Sequence, residues 1–246
     1  MTHRDYCGKH RAIAHTIVIA DTAMKNAPIS IYLVEDHPLV RQGVLRILER
    51  EKDFEICGEA DNANVAIVQI AQREPDIVIL DITLEGEANG IDLIKSIRAR
   101  GLKTLPIVLS MHAEALFIER ALRAGARAYI NKKELGEAVV VAIREVLKGE
   151  LYLSASASSR IINRFLSSGE SHIARDEVHS MGDLTDRELQ VFELIGQGMK
   201  TGDIARTLNI STNTIEAHRR NIKHKLGLSS GSELARNATQ WVIQNR

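Results

Sequence analysis

Acidic, hydroxyl and basic side chains follow several apolar segments of the chain at the point where each segment ends. Glu35 and Asp36 follow one such segment, Asp81 follows another, Ser110 ends a third and Lys132 follows a fourth. Carboxylates gathered in one place repel one another and favour a hard divalent cation such as Mg²⁺, which prefers oxygen ligands. One carboxylate of such a set can act as a nucleophile toward a phosphoryl group, with the cation, the lysine and the hydroxyl stabilising the transferring charge.

The apolar segments themselves have the composition of buried parallel strands. Residues 77–80 are four apolar residues, three of them β-branched, which suits a strand covered on both faces. The predicted strands cover 30–34, 54–60, 76–80, 106–110 and 127–131. The predicted helices between them cover 38–51, 63–73, 90–100, 114–124 and 134–149, and the first has an apolar stripe that includes Leu39, Val44 and Leu48. This alternation predicts an α/β fold with a doubly wound, five-stranded parallel sheet, whose strand ends bring the polar side chains together at one edge.

The residues after the first strand exclude two common nucleotide-binding folds. Glu35-Asp36-His37-Pro38 contains neither a G-x-G-x-x-G turn nor a Walker glycine loop. We therefore expect an acidic metal site at the first strand rather than a phosphate cradle for a nucleotide.

The C-terminal part of the chain has helical periodicity only. Helices are predicted over 185–198, 201–208, 212–226 and 230–244, and the three-residue turn at 209–211 gives helix-turn-helix spacing. Between 200 and 227 six Lys/Arg face two carboxylates, although the net charge of the whole chain is zero. A solvated surface is the ordinary explanation of a charge run, but on the third helix of such a module it favours a DNA recognition helix.

These patterns divide the chain into four parts. We expect a disordered N-terminal extension at 1–28, an α/β domain at 29–150, a polar linker with a short helix at 151–182 and a helix-turn-helix domain at 183–246. Met24 is an alternative first residue shortly before the predicted α/β domain, so the sequence leaves open whether residues 1–23 belong to the natural protein. Two cysteines without pairing or metal spacing, and no apolar run of about 20 residues, predict a cytoplasmic protein without a membrane partner.

The α/β part resembles the receiver domain of two-component response regulators. The matching segments are VEDHPLVRQG at 34–43, PDIVILDITL at 75–84, NGIDLI at 89–94, IVLSMH at 107–112 and GARAYINK at 125–132. The resemblance implies a phosphoacceptor, a set of Mg²⁺ ligands and a set of switch residues. The phosphoacceptor would be Asp81, and the Mg²⁺ ligands would be Glu35, Asp36, Asp81 and the backbone carbonyl of Thr83. The switch and phosphoryl-binding residues would be the Ser110 hydroxyl, Lys132 and Tyr129, an aromatic residue that turns inward on activation.

Residues 184–228 resemble the LuxR-type helix-turn-helix of the NarL/FixJ class. The resemblance implies that one face of the third helix contacts base edges through Glu216, Ala217 and Arg220. It implies phosphate contacts by Arg219, Lys223 and Lys225, with the Thr214 hydroxyl close by. The last helix, with Leu234, Ala238 and Trp241, resembles the dimerising helix of the class, and its alternative role is the core of its own domain.

The whole chain thus resembles a NarL/FixJ-class response regulator. The resemblance implies that a sensor histidine kinase phosphorylates Asp81 in the presence of Mg²⁺, and that phosphorylation controls dimerisation and binding to double-stranded promoter DNA. RNA polymerase is a possible further partner, and the only enzymatic step would be turnover of the chain's own phosphate. The alternative is a phosphorylation-independent DNA-binding protein whose receiver is a fixed dimerisation scaffold. A free-standing phosphatase is disfavoured because no second nucleophile is evident.

Overall fold

The computed structural model describes residues 27–84, 86, 88–111, 115–168 and 181–245. Our expectations for residues 1–26 and for the linker segment 169–180 lie outside these described residues.

A parallel sheet forms the centre of the α/β domain and confirms the predicted doubly wound fold. Its strands are β1 (Ile29–Val34), β2 (Phe54–Ala60), β3 (Ile77–Asp81), β4 (Leu105–Ser110), β5 (Ala128–Asn131) and β6 (Tyr152–Leu153). The order is β2-β1-β3-β4-β5-β6, and each neighbouring pair is parallel. The sixth strand was not predicted, because a two-residue strand is too short to show an alternating pattern.

Five helices cover the two faces of this sheet. They are α1 (Pro38–Leu48), α2 (Ala63–Arg73), α3 (Gly90–Ala99), α4 (Ala115–Ala124) and α5 (Glu137–Leu147). One apolar cluster joins α1 and α5 to the sheet, and a second joins α2, α3 and α4 to the opposite face. In α1 only Val44 and Leu48 are fully buried, and Leu39 is 83% exposed, so the predicted apolar stripe was too wide.

Local signals explain where the helices that flank the acidic strand ends begin. Pro38 occupies the first turn of α1, where its missing N–H costs nothing. The Asn62 side chain accepts a hydrogen bond from the Val65 N–H at 2.9 Å and caps α2. Asn89 and Asp92 form a reciprocal capping box that starts α3. Each helix therefore begins shortly after the strand end or loop that carries the polar residues.

A sixth helix, α6 (Ala155–Ser168), follows β6 and packs against α4 and β5. It corresponds to the short helix expected in the linker, but it begins earlier than the apolar residues of this segment indicated. Ala157 is buried against the apolar cluster of the α/β domain, so the first half of the helix is part of that domain's packing.

The C-terminal part forms a small helical domain with a helix-turn-helix. Its helices are α7 (Asp186–Gly196), α8 (Thr201–Thr207), α9 (Thr212–Lys225) and α10 (Gly231–Asn245). Thr185 and Glu188 form a capping box that starts α7. Leu234 and Ala238 of α10 are fully buried, and Trp241 meets the Phe192 ring edge-on at 6.0 Å. These residues therefore contribute to the core of their own domain.

The two domains are packed against each other through α7, all eleven residues of which are buried. A single apolar cluster continues from α3 and α4 into the helical domain. None of the helices in the described ranges has the length and apolar character needed to cross a membrane.

Candidate functional site

The acidic residues predicted from the sequence meet at the carboxyl ends of two neighbouring strands. Glu35 and Asp36 directly follow β1, and Asp81 is the last residue of β3, the strand beside it. Potential ligand atoms of Glu35, Asp36, His37 and Asp81 all lie within 4.8 Å of one another. Glu35 and Asp81 are almost completely buried, at 0% and 2% exposure. This is an acidic cluster able to hold a metal ion, and His37 is a member that the sequence did not indicate.

Lys132 bridges two carboxylates of this cluster. Its Nζ lies 2.7 Å from Oε2 of Glu35 and 2.8 Å from Oδ2 of Asp81. Burial alone would lower the pKa of Lys132, but the charges of Asp81 and Glu35 outweigh it, and the pKa is raised. Burial, together with the charge of Asp81, raises the pKa of Glu35 above its usual value. One ammonium against three carboxylates leaves the cluster with an excess negative charge.

The geometry of the cluster fits a divalent cation. Oδ1 of Asp81 is buried and has no hydrogen-bond partner among the described residues, which is costly for a carboxylate oxygen unless a cation binds it. Oxygen ligands of this charge and number are those that Mg²⁺ uses in proteins. Thr83, whose carbonyl was predicted to complete the ligand set, lies in the turn that leaves β3, two residues after Asp81.

Gly90 brings the start of α3 against the end of β3. A Cβ on this residue would lie 2.0 Å from the backbone oxygen of Asp81, closer than any side chain permits. The Gly90 N–H also donates to the carbonyl of Ile82 at 3.0 Å. Only glycine therefore allows this approach, and the sequence analysis assigned this residue no role of its own.

The predicted switch residues Ser110 and Tyr129 lie on β4 and β5, the two strands that follow β3 in the sheet. Asp81 pairs in register with Leu109, and Ser110, the following residue, is fully buried at the end of β4. Tyr129 of β5 is also fully buried, so its side chain is already inside the protein in this structure. The structure thus places Ser110 at the same sheet edge as Asp81 and Tyr129 on the strand beyond it, and their switch roles stay predictions.

The helical domain is hydrogen-bonded to the loop that directly follows Asp81. Nε2 of Gln190 donates to the carbonyl of Ile82 at 3.2 Å. Arg187 donates to the carbonyls of Gly86 and Leu208, the second at 3.0 Å, and the Gly86 N–H donates to the same Leu208 carbonyl at 3.1 Å. The turn between α8 and α9 is therefore fixed to the loop after the acidic cluster. No local sequence pattern indicated these contacts.

An ion-pair cluster forms a second connection between the domains. Asp186, the first residue of α7, lies 2.6 Å from Nζ of Lys95 on α3 and 2.9 Å from NH1 of Arg120 on α4. Arg120 also donates to the carbonyl of Met181 at 3.0 Å. We call Asp186, Lys95 and Arg120 the interdomain ion-pair cluster.

The predicted recognition helix α9 exposes part of its basic face. Arg220 and Glu216 are exposed, whereas Thr214, Ala217, Arg219 and Lys223 are half-buried. Oε1 of Glu216 accepts a hydrogen bond from the Thr201 hydroxyl at 2.9 Å and lies 3.7 Å from Nε of Arg219. A polar surface with both hydrogen-bond donors and acceptors is suited to base edges and phosphates.

Lys225 has a different environment from the rest of this face. Its Nζ lies 2.7 Å from Oε2 of Glu188, the carboxylate that also caps α7 through the Thr185 N–H. Burial would raise the pKa of Glu188, but Lys225 and Thr185 lower it below its usual value. Lys225 thus stabilises the helical domain internally, and a contact with DNA phosphate stays a prediction that would require it to leave Glu188.

Comparison with known proteins identifies the family. The family model of the response regulator receiver domain matches residues 31–144, and that of the luxR family of bacterial regulatory proteins matches 183–238. The oxygen regulatory protein NreC of Staphylococcus epidermidis is 31% identical over 210 residues, which cover 84% of this chain and 94% of NreC. This chain belongs to the LuxR-type response regulators. It is therefore a DNA-binding response regulator of the NarL/LuxR type, as the sequence motifs predicted.

Solved structures show the same architecture. A LuxR-family two-component response regulator from Aurantimonas sp. is 31% identical with a TM-score of 0.55, covering 57% of this chain and 99% of that one. RcsB of Salmonella enterica serovar Typhimurium, bound to a promoter in the presence of the phosphomimetic BeF3⁻, is 22% identical with a TM-score of 0.57. That match covers 86% of this chain and 98% of RcsB, and it shows a shared fold.

Proposed function

We propose that Mg²⁺-dependent phosphorylation of Asp81 by a sensor histidine kinase releases the helical domain of this response regulator, which then binds promoter DNA as a homodimer. One observation carries this proposal: the loop hydrogen-bonded to Gln190 and Arg187 directly follows the buried Asp81, whose Oδ1 has no hydrogen-bond partner within the described part of the chain. The acceptor site and the contact that holds the helical domain are therefore adjacent in the chain.

The residues of the acidic cluster have distinct parts in the proposed chemistry. The cation would be held by the carboxylates of Glu35, Asp36 and Asp81 and by the Thr83 carbonyl. When bound, it would neutralise the charge of the carboxylates and of the phosphoryl oxygens. A carboxylate oxygen of Asp81 attacks the phosphorus, the bond from phosphorus to the kinase histidine breaks, and the imidazole leaves with the electron pair. The ammonium of Lys132 pairs with the transferred group, and the Ser110 hydroxyl donates a hydrogen bond to it.

Phosphorylation at this position would disturb the domain contact. A phosphoryl group adds about −1.5 to −2 charges, and Lys132 would then divide its hydrogen bonds between that group and Glu35. Movement of the backbone after Asp81 would displace the Ile82 and Gly86 carbonyls from their partners on α7. The coupling required is small, about 1–3 kcal/mol for an ordinary allosteric shift. Tyr129 is already buried, so we expect Ser110 rather than the aromatic ring to change most.

The closed arrangement would hinder DNA binding for a geometric reason. A helix-turn-helix inserts the N-terminal end of its recognition helix into the major groove while the preceding helix crosses the backbone. Here the turn at Leu208 and Asn209, which leads into that end of α9, lies against the receiver at Gly86 and near Asp61. The receiver would therefore compete with a duplex for this end of the helix.

Dimerisation would supply the second DNA-binding module. Two modules related by a dyad read two half-sites, which is the usual symmetry of such operators. We expect the dimer contact on the surface around residues 114–133. Contact with RNA polymerase and the cytoplasm as the compartment stay predictions. The burial of Leu234 and Ala238 means that α10 could contribute to a dimer only through its remaining surface.

Acetyl phosphate tests the acceptor assignment. Incubation with acetyl phosphate and Mg²⁺ should add the mass of one phosphoryl group to the wild-type chain, and chelation of the cation should prevent it. Asp81→Asn should give no adduct, whereas Asp61→Asn, a change of the same charge on the neighbouring β2–α2 loop, should react as wild type. An unchanged adduct in Asp81→Asn would overturn the proposal.

A further inference from the structure

A cavity of about 890 Å³ lies between the two domains and is distinct from the acidic cluster. It is formed by one face of α3, the end of α4 and the residues that begin α7. This volume is in the range of sites that hold small molecules and cofactors, which often form at domain interfaces. Neither the phosphorylation chemistry nor the recognition helix makes use of it.

The walls of this cavity are strongly cationic. Five basic side chains line it against two carboxylates, Asp92 and Asp186, although the whole chain has no net charge. The basic side chains are Lys95, Arg98, Arg120, Arg123 and Arg187. Four of them belong to the receiver and Arg187 belongs to the helical domain, so both domains line the cationic cavity. Such a field inside a concave, partly apolar site attracts and concentrates small anions.

Two of these arginines are available for a ligand. Arg98 is exposed and makes no ion pair with any described residue, and the Arg123 side chain is 79% exposed and pairs only with Glu119 on its own helix. Arginine presents a planar fork of donors that matches phosphate oxygens. Both side chains could turn toward an anion without breaking the interdomain ion-pair cluster.

Arg187, which lines the cavity, is a buried cation that forms no ion pair with a described residue. The residue is 7% exposed, and its buried Nε–H has no hydrogen-bond partner among the described residues. Burial lowers its pKa to about 10, because no carboxylate is close enough to offset the desolvation fully. An anion in the cavity would provide the missing negative charge.

Apolar residues form the remaining lining. Ile91, Ala99, Ala124 and Leu184 lie between the basic side chains. A ligand that fits both features has several phosphate oxygens and a flat, less polar part, as a nucleoside polyphosphate has. We propose that this interdomain cavity is a binding site for a nucleoside polyphosphate, a second input besides phosphorylation.

The position of the cavity predicts the effect of the ligand. Because both domains contribute to the site, the ligand binds the closed arrangement and not the separated domains. At a free concentration ten times its dissociation constant, such a ligand favours the closed state about elevenfold. It should weaken DNA binding by the same factor at most, and phosphorylation should weaken ligand binding in return.

Calorimetry on the full chain with ATP, without Mg²⁺, tests the site directly. We expect one ATP per chain and weaker binding of inorganic pyrophosphate, which lacks the nucleoside. Arg98→Gln and Arg123→Gln should each weaken ATP binding by at least about tenfold, as expected for the loss of a charged hydrogen bond. Arg100→Gln, which removes the same charge at the end of α3 but does not line the cavity, should bind ATP as wild type does.

Three results would overturn the proposal. The first is no heat of ATP binding at millimolar concentration. The second is equal weakening by Arg100→Gln, or by Arg220→Gln on the recognition helix, which would mark general attraction to basic surface. The third is equal or tighter binding of pyrophosphate, which would exclude a nucleoside-specific site. The binding result does not depend on phosphorylation of Asp81, so it stands or fails separately from the function proposed above.

Discussion

Replacing Asp186 by Asn should release the helical domain without phosphorylation. The carboxylate of Asp186 is paired with Lys95 and Arg120, and the substitution removes both ion pairs while keeping the shape of the side chain. The Asp186 and Arg120 side chains are 10% and 14% exposed, whereas that of Lys95 is 55% exposed. Breaking a fully buried pair costs about 3–5 kcal/mol and an exposed one less than about 1 kcal/mol. Because Asn keeps one oxygen acceptor, we expect the closed state to lose about 1–2 kcal/mol.

This loss converts directly into DNA affinity. If the closed state dominates before phosphorylation, the apparent dissociation constant falls as the open fraction rises. A shift of about 1–2 kcal/mol corresponds to a five- to thirtyfold change. Fluorescence anisotropy with operator DNA, selected in vitro by the full chain, should therefore show binding tighter by that factor in Asp186→Asn without any phosphodonor.

A charge-matched control separates domain release from simple electrostatics. Asp53→Asn removes the same charge from the receiver, where Asp53 pairs with Arg144 far from the domain contact. It should leave the affinity near wild type. Domain release should also leave the salt dependence of binding unchanged, whereas an altered phosphate contact would change its slope. Equal tightening in both variants, or no tightening in Asp186→Asn, would refute the reasoning.

Three further predictions test the acidic cluster and the recognition helix. Gly90→Ala should lower the free energy of unfolding by more than about 2 kcal/mol in a urea titration, because the new Cβ would meet the Asp81 backbone. It should also reduce phosphorylation. Gly43→Ala, in open space on α1, should instead stabilise the protein by about 0.5–1 kcal/mol in the same titration. Because the pKa of Glu35 is raised in the folded state, ionisation of this carboxyl opposes folding. The stability of Glu35→Gln relative to wild type should therefore increase as pH rises above 4.5. A difference between the urea midpoints of the two proteins that stays constant from about pH 4 to 8 would contradict this. Arg220→Ala should weaken operator binding by about 1–3 kcal/mol and relax specificity at one base, and an equal loss on random DNA would make Arg220 a phosphate contact.

The residues whose positions were predicted correctly from the sequence are those determined by short local patterns. Asp81 follows an uninterrupted apolar segment, and Glu35 and Asp36 follow another, so the order of neighbouring parallel strands was enough to bring them together. The helix predicted from residue 90 begins there in the structure, where Asn89 and Asp92 form a capping box within four residues. In each case one short segment contains all the information that decides the structure.

The features that sequence reasoning missed depend on pairs far apart in the chain. Lys95 and Asp186 are 91 residues apart, and Gln190 is 108 residues from Ile82, so no periodicity connects them. The sixth strand exists because β5 offers an unpaired edge, not because of its own two residues. Leu39 was assigned to the apolar stripe of α1 because of its residue type, but it is 83% exposed, whereas Val44 and Leu48, one turn apart, are fully buried.

The most direct test of the central claim is the DNA affinity of the full chain with and without beryllofluoride and Mg²⁺. The account predicts binding at least about five times tighter with beryllofluoride, consistent with a coupling of 1–3 kcal/mol. It predicts no change in Asp81→Asn. Equal affinity of the wild-type chain in both conditions would contradict the account and support a constitutive DNA-binding protein with the receiver as a fixed scaffold.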